Sequence, residues 1–163
     1  MKQIKLTQGQ VALVDNEDYE RLSAHKWYAM KVRSGRFYAV RSTGKNPHRK
    51  RVLMAREILN APAGTEVDHV SGDTLDHRRS NLRLATHAEN QRNRGKYQNN
   101  TSGLKGVSYD STRRKWRAQI KVNGKVIYLG HFADTTDAAR TYDGAALQLH
   151  GAFARMNFEE GAR

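Results

Sequence analysis

The stretch from Glu66 to Asn93 constrains this chain more than any other. Glu66-Val67-Asp68-His69-Val70 and Asn81-Leu82-Arg83-Leu84-Ala85 alternate like short strands, and the loop between them is rich in turn formers and charge. Thr86-His87-Ala88-Glu89 then has the capping-box spacing, which predicts a short helix carrying Asn90. Alternation sends Asp68 and His69 to opposite sides of their strand unless a bulge or twist intervenes. Asp68 and Asn90 are hard oxygen ligands of the kind Mg²⁺ accepts alongside waters and phosphate oxygens. Asn90 sits one turn into its helix, near the positive end, where a phosphate is also welcome. An imidazole at His69 can take a proton from water near neutral pH. Together these groups suit metal-assisted phosphodiester hydrolysis. Taken singly, an Asp beside a His is an ordinary surface pair, and Asn81 an ordinary loop residue.

Charge narrows the partners. The 163 residues carry a formal charge of +13, with a pI near 10.3. Such a field attracts polyanions, and nucleic acid is the expected one. No basic amphipathic helix with a large apolar face favours a membrane surface instead. There is no cysteine, which excludes disulfides and any zinc–cysteine site and agrees with a reducing cytoplasm. No signal-peptide pattern and no long apolar run is present.

Residues Glu66 to Asn93 resemble the HNH nuclease motif of phage and intron homing endonucleases, through V-D-H-x-x-G-x-x-x-D-x-R-x-x-N-L-R-x-x-T-x-x-x-N. That resemblance implies a ββα-metal nuclease fold. It implies Asp68 and Asn90 as ligands of one divalent metal, Mg²⁺ with Mn²⁺ also suited, and His69 as general base. It implies that Asn81 braces the loop and orients His69. Arg78 and Arg83 match family arginines and are expected to contact the substrate backbone or support the loop. His77 stands where Asn is commoner and is expected at the surface, as is His87. Relatives often carry His-Arg in the helix before the motif, where this chain has Ala55-Arg56. That removes an imidazole from any auxiliary role there.

Ahead of the motif, Ile4–Leu6 and Val11–Val14 read as strands and Asp15 or Asn16 as the cap of a short helix. Trp27–Met30 and Phe37–Arg41 read as a hairpin, Pro47–Arg51 as a basic turn, and Val52–Leu59 as a helix packed behind the motif. This front end reads as an accessory region. Residues Gln91–Gly103 are polar and basic, which predicts domain 1–97, a basic linker 98–103 and domain 104–163.

In the second domain, Lys105–Tyr109 is a first strand. Lys115–Val122 alternates, with Trp116, Ala118, Ile120 and Val122 on one face and Lys115, Arg117, Gln119 and Lys121 on the other. Asn123-Gly124 is a two-residue hairpin turn, and Lys125–Leu129 returns. Thr135 or Thr136 caps a helix with the stripe Ala138, Ala139, Tyr142, Ala145, Ala146, Leu149. The prediction is a three-stranded antiparallel sheet packed on one helix, its outer face basic and sized for the major groove. Gly103–Phe158, with L-K-G-V, K-W-R-A-Q-I, Y-L-G-H-F, A-A-R-T-Y-D-G-A-A and A-R-M-N-F, is similar to the APETALA-type DNA-binding domain of plant ethylene-response factors. That similarity implies DNA contacts from Lys105, Lys115, Gln119, Lys121 and Tyr128. Strand geometry adds Arg117. Ser108, Asp110 and Val126 replace plant arginines, so the plant site preference does not carry over. Trp116 and Phe132 are expected to anchor the core.

The expected protein is therefore an α+β, monomeric HNH endonuclease of the phage homing or free-standing kind. It would cut duplex DNA in a host-cell cytoplasm and leave 5′-phosphate and 3′-hydroxyl ends. A regulator that binds DNA sequence-specifically and keeps the HNH scaffold without catalysis is the alternative.

Overall fold

Short alternating segments and turn residues dictate a chain of small sheets rather than one large one. A computed structural model describes residues 1–45, 47–97 and 99–158. Gln98, where the expected linker begins, and residues 159–163, the end of the expected second domain, lie outside the described residues. The chain forms two compact units, Met1–His87 and Ala88–Arg163.

In the first unit, β1 (Lys2–Lys5) and β2 (Val11–Val14) form an antiparallel hairpin, followed by α1 (Asn16–Ser23). Strands β3 (Tyr28–Lys31), β4 (Phe37–Thr43) and β5 (Lys50–Leu53) form an antiparallel sheet in chain order. The helix expected over Val52–Leu59 is shorter: α2 spans Met54–Ile58. Val52 and Leu53 instead pair with Arg41 and Val40, because a neighbouring strand edge offers a β-branched residue better packing than a helix turn. After a turn come β6 (Glu66–His69), a 3₁₀ turn at Arg79–Asn81 and β7 (Leu82–Ala85). Val14, Leu22, Trp27, Met54, Ile58 and Leu82 share one core, with Val67 packed against it. The β6–β7 hairpin is thereby seated on α2, as the apolar pattern of that helix predicts.

Helix α3 (His87–Asn93) starts directly after Thr86, and the two units divide inside it, between His87 and Ala88. In the second unit, β8 (Val107–Asp110), β9 (Lys115–Val122) and β10 (Lys125–Phe132) form an antiparallel sheet with β9 central, and α4 spans Thr135–His150. Ala118, Ile120, Ala138, Ala139, Tyr142 and Ala146 are buried between sheet and helix, with Trp116 and Phe132 packed against them. Leu149 leaves the predicted stripe and is exposed. The cap of α4 is Asp134, not a threonine: its carboxylate accepts from the Thr136 and Asp137 N–H groups at 2.7 and 3.0 Å. Asn100–Gly103, inside the expected linker, is held by hydrogen bonds. Asn100 Oδ1 accepts from Gly103 N at 2.7 Å and Ser102 Oγ donates to Val107 O at 2.8 Å.

Candidate active site and nucleic-acid interface

Register decides where the motif side chains go. β6 and β7 pair without a break, Asp68 opposite Arg83 and His69 opposite Leu82. Asp68 and His69 therefore leave opposite sides of the strand, and both are buried. Arg83 Nε and Nη2 donate to Asp68 Oδ2 at 2.8 and 2.6 Å, so this arginine supports the carboxylate. His69 meets the edge of His77, ring centroids 5.3 Å apart. Burial holds the His69 ring below the usual imidazole range, with the Asp68, Asp73 and Asp76 carboxylates pulling the other way. Asn81 spans the loop: its Oδ1 accepts from Ser71 N and its Nδ2 donates to Asp76 O, both at 2.8 Å. The bracing expected of Asn81 thus runs to the loop backbone at Ser71 and Asp76, both ahead of His77. His87 is exposed and bonds Glu66 Oε1 through Nδ1 at 2.7 Å.

His77 corrects the sequence reading. It is not a surface residue but 2% exposed. Neither ring nitrogen has a hydrogen-bond partner among the described residues. Burial, with His69 adding to it, pushes its pKa down to about 3. The loop backbone forces the ring inward: His77 N donates to Leu13 O at 2.8 Å, and Leu13 N donates to Leu75 O at 2.9 Å.

The front end bonds the motif loop directly. Asp15 Oδ2 accepts from Arg79 N at 2.8 Å, and buried Asp18 accepts from Arg79 Nε and Nη2 at 2.8 and 2.9 Å. Arg79 and Arg21 hold the Asp18 carboxyl below its usual range against the opposing effect of burial. Thr74 Oγ1 donates to Phe37 O at 2.6 Å. Arg78, expected to contact the substrate backbone or support the loop, gives its guanidinium to Asp76 through bonds of 2.8 and 2.6 Å. Arg56 donates to the carbonyls of Ala61, Pro62 and Thr65, fixing the turn that leads into β6. The Asp15 and Asp18 contacts do not announce themselves locally, since Arg79 lies more than 60 positions away.

Asn90 belongs to the second unit and is described with it. The C-terminal end of its helix is held there: Lys105 Nζ donates to Arg92 O at 2.5 Å and Arg92 Nη2 to Asn123 Oδ1 at 3.3 Å. Lys105, expected on the DNA-contacting face, thus turns its amine to a carbonyl, and burial lowers its pKa to about 8. The other expected residues do share one face. Tyr128 pairs with Gln119, Val126 with Lys121 and His131 with Arg117, while Ser108 pairs with Arg117 and Asp110 with Lys115. Directly opposed residues point the same way, so Lys115, Arg117, Gln119, Lys121 and Tyr128 line the outer surface with Ser108, Asp110, Val126 and His131.

As for a metal, the Asp68 carboxylate is a hard oxygen donor of the kind that Mg²⁺ takes alongside its waters. Among the described residues no three His, Cys, Asp or Glu side chains gather into a metal cage.

Comparison with known proteins agrees with both halves. Residues 60–92 match the HNH endonuclease family, and residues 102–152 match the AP2 domain. The chain belongs to the HNH endonuclease family, in a form that also carries an AP2 domain. Protein 3.8 of Escherichia phage T7 is 36% identical over 109 residues, 66% of this chain and 89% of that protein. An uncharacterized HNH endonuclease of Acanthamoeba polyphaga mimivirus is 29% identical over 150 residues, 91% of this chain and 75% of that protein. An AP2-like ethylene-responsive transcription factor of Arabidopsis thaliana is 38% identical over 61 residues, 37% of this chain and 13% of that protein. No helix among the described residues is long and apolar enough to cross a membrane.

Proposed function

We propose that this protein is a metal-dependent endonuclease that hydrolyses phosphodiester bonds of duplex DNA, with the C-terminal sheet selecting where. The observation that carries the reading is the buried Asp68–His69 pair on β6, with its loop braced by Asn81, inside an HNH family match. His69 takes a proton from the attacking water, a role supported by burial, which favours its neutral ring. Arg83 fixes Asp68, and Asn81 fixes the loop into which the His69 strand runs. A divalent ion bound by Asp68, with Asn90 as the second ligand the family resemblance implies, would stabilise charge on the scissile phosphate and the leaving 3′-oxygen. Water adds at phosphorus as the bond to the 3′-oxygen breaks, which leaves 5′-phosphate and 3′-hydroxyl ends. The basic outer face of the sheet supports duplex binding, as does the similarity to a protein named a transcription factor.

The test is cleavage of a phage-sized duplex with Mg²⁺, with EDTA and with His69→Ala. The wild type should cut only with the metal. His69→Ala should lose roughly 10²-fold or more in rate while still binding DNA. Tight binding with no cutting under Mg²⁺ or Mn²⁺ would instead favour a regulator that keeps the scaffold, a reading for which Ala55 speaks.

A further inference from the structure

Asp110, His131 and Tyr128 form a hydrogen-bonded chain on the outer face of the C-terminal sheet, at a position where the plant pattern has arginine. Tyr128 and His131 flank the irregularity in β10 that follows Tyr128, which brings both to the same side as Arg117 and Gln119. His131 Nε2 lies 3.0 Å from Asp110 Oδ2, and His131 Nδ1 lies 2.5 Å from the Tyr128 oxygen. A carboxylate only accepts, so Nε2 carries a proton. Asp110 is kept as a carboxylate by the Arg113 backbone N–H at 3.1 Å, with the Arg113 guanidinium at 3.4 Å, and its pKa lies below the usual range. In a neutral ring Nδ1 is then the acceptor, and the one hydroxyl proton of Tyr128 is spent on it. Only lone pairs of the phenol oxygen are left for a ligand.

The ring is 56% exposed. It borders an open pocket of about 350 Å³ lined by Asp110, Arg113, Arg117, Tyr128 and His131. Arg117, which has donors only, bonds Ser108 Oγ at 3.3 Å, and its Nε is buried without a partner among the described residues. A fixed acceptor thus stands beside a fixed donor. In the major groove, adenine N6 and cytosine N4 present donors, while guanine and thymine carbonyls accept.

We propose that Asp110 and His131 lock Tyr128 as an acceptor-only reader of an exocyclic amino group, adenine N6 or cytosine N4, in duplex DNA. This rests on the DNA-binding reading of the sheet. Tyr128 determines specificity, and Asp110 and His131 are positioning residues.

The experiment uses the full chain in EDTA at about pH 8, where imidazoles in general are neutral. Selection from a randomised duplex pool gives a preferred site. Binding is then measured to that site with single N6-methyladenines or N4-methylcytosines, which replace the groove-side hydrogen and retain the base pair. One such methyl should weaken wild-type binding about three- to tenfold, and the base that carries it distinguishes adenine from cytosine. Tyr128→Phe, a change at an exposed ring, should abolish that discrimination. His131→Phe should reduce that discrimination to within about twofold. If Tyr128→Phe still binds DNA and still discriminates, or no methyl affects the wild type, this proposal fails and DNA binding stands. If no duplex binds at about 50 mM salt, the DNA-binding reading fails with it.

Discussion

His77 carries a cost that appears only in acid. Its ring is buried and its pKa is pushed down to about 3, while an unfolded chain protonates a histidine near 6.5. Between those values the unfolded state binds a proton that the folded state refuses, so stability is full above about pH 6.5 and is lost as the pH falls toward about 3. His77→Asn should remove this slope, so that the stability of the mutant relative to wild type rises by about 2–4 kcal/mol between neutral pH and about pH 4. Urea unfolding read at buried Trp27, in a Trp116→Phe background, measures it. A stability difference that does not change with pH would show that the ring is hydrated. At this scale the motif residues were legible, because Asp68, His69, Asn81 and Asn90 stand at fixed spacings. The burial of His77 was not, since it follows from Leu13 bonding both sides of the loop.

Among the elements, strands and turns followed the sequence where one face is apolar and a turn residue closes the hairpin. β9 lies as its alternation predicts and the Asn123-Gly124 turn closes the hairpin, while β10 runs past the expected Leu129 to Phe132 with an irregularity after Tyr128. Boundaries moved where a partner outcompeted local preference, as when Val52 and Leu53 joined β4 and Asp134 took the cap of α4. Asp143 was read only as part of a helix, yet it is buried and accepts from the Asn157 and Phe158 N–H groups at 2.8 and 3.0 Å, tying those two residues back to α4. Gly106 shows how closely these elements pack. Its φ is +76°, and a Cβ there would lie 2.0 Å from the Tyr142 ring and 2.8 Å from the Gln119 carbonyl. Gly106→Ala should destabilise the sheet–helix unit by about 2–5 kcal/mol through left-handed strain and overpacking. Faster hydrogen exchange of the β9 amides would report it, and unchanged protection would refute the packing argument.

For the molecule as a whole, the charge of +13 makes a claim about binding that no single contact makes. Each neutralised phosphate releases counterions, so affinity for duplex DNA should fall at least about a hundredfold between roughly 50 and 200 mM salt. Titration of labelled duplex across that range checks it, and a flat response would sink the electrostatic account. The two-part organisation was visible in the sequence as a change from the motif to an alternating, basic second half. The place where the compact units divide was not, because Lys105 and Arg92 attach the end of α3 to the second unit through a single amine and a turn contact.

The grip of Asp15 and Asp18 on Arg79 also has a consequence for how the protein is made. Closing a loop of more than 60 residues is entropically costly, and a refolding chain must meet that cost before the Asn81 turn gains its support. A ribosome delivers the two aspartates first, on a hairpin and helix that can already be formed when residue 79 emerges. The loop then docks onto a waiting template, so synthesis from the N-terminus should yield an ordered motif faster than refolding from denaturant.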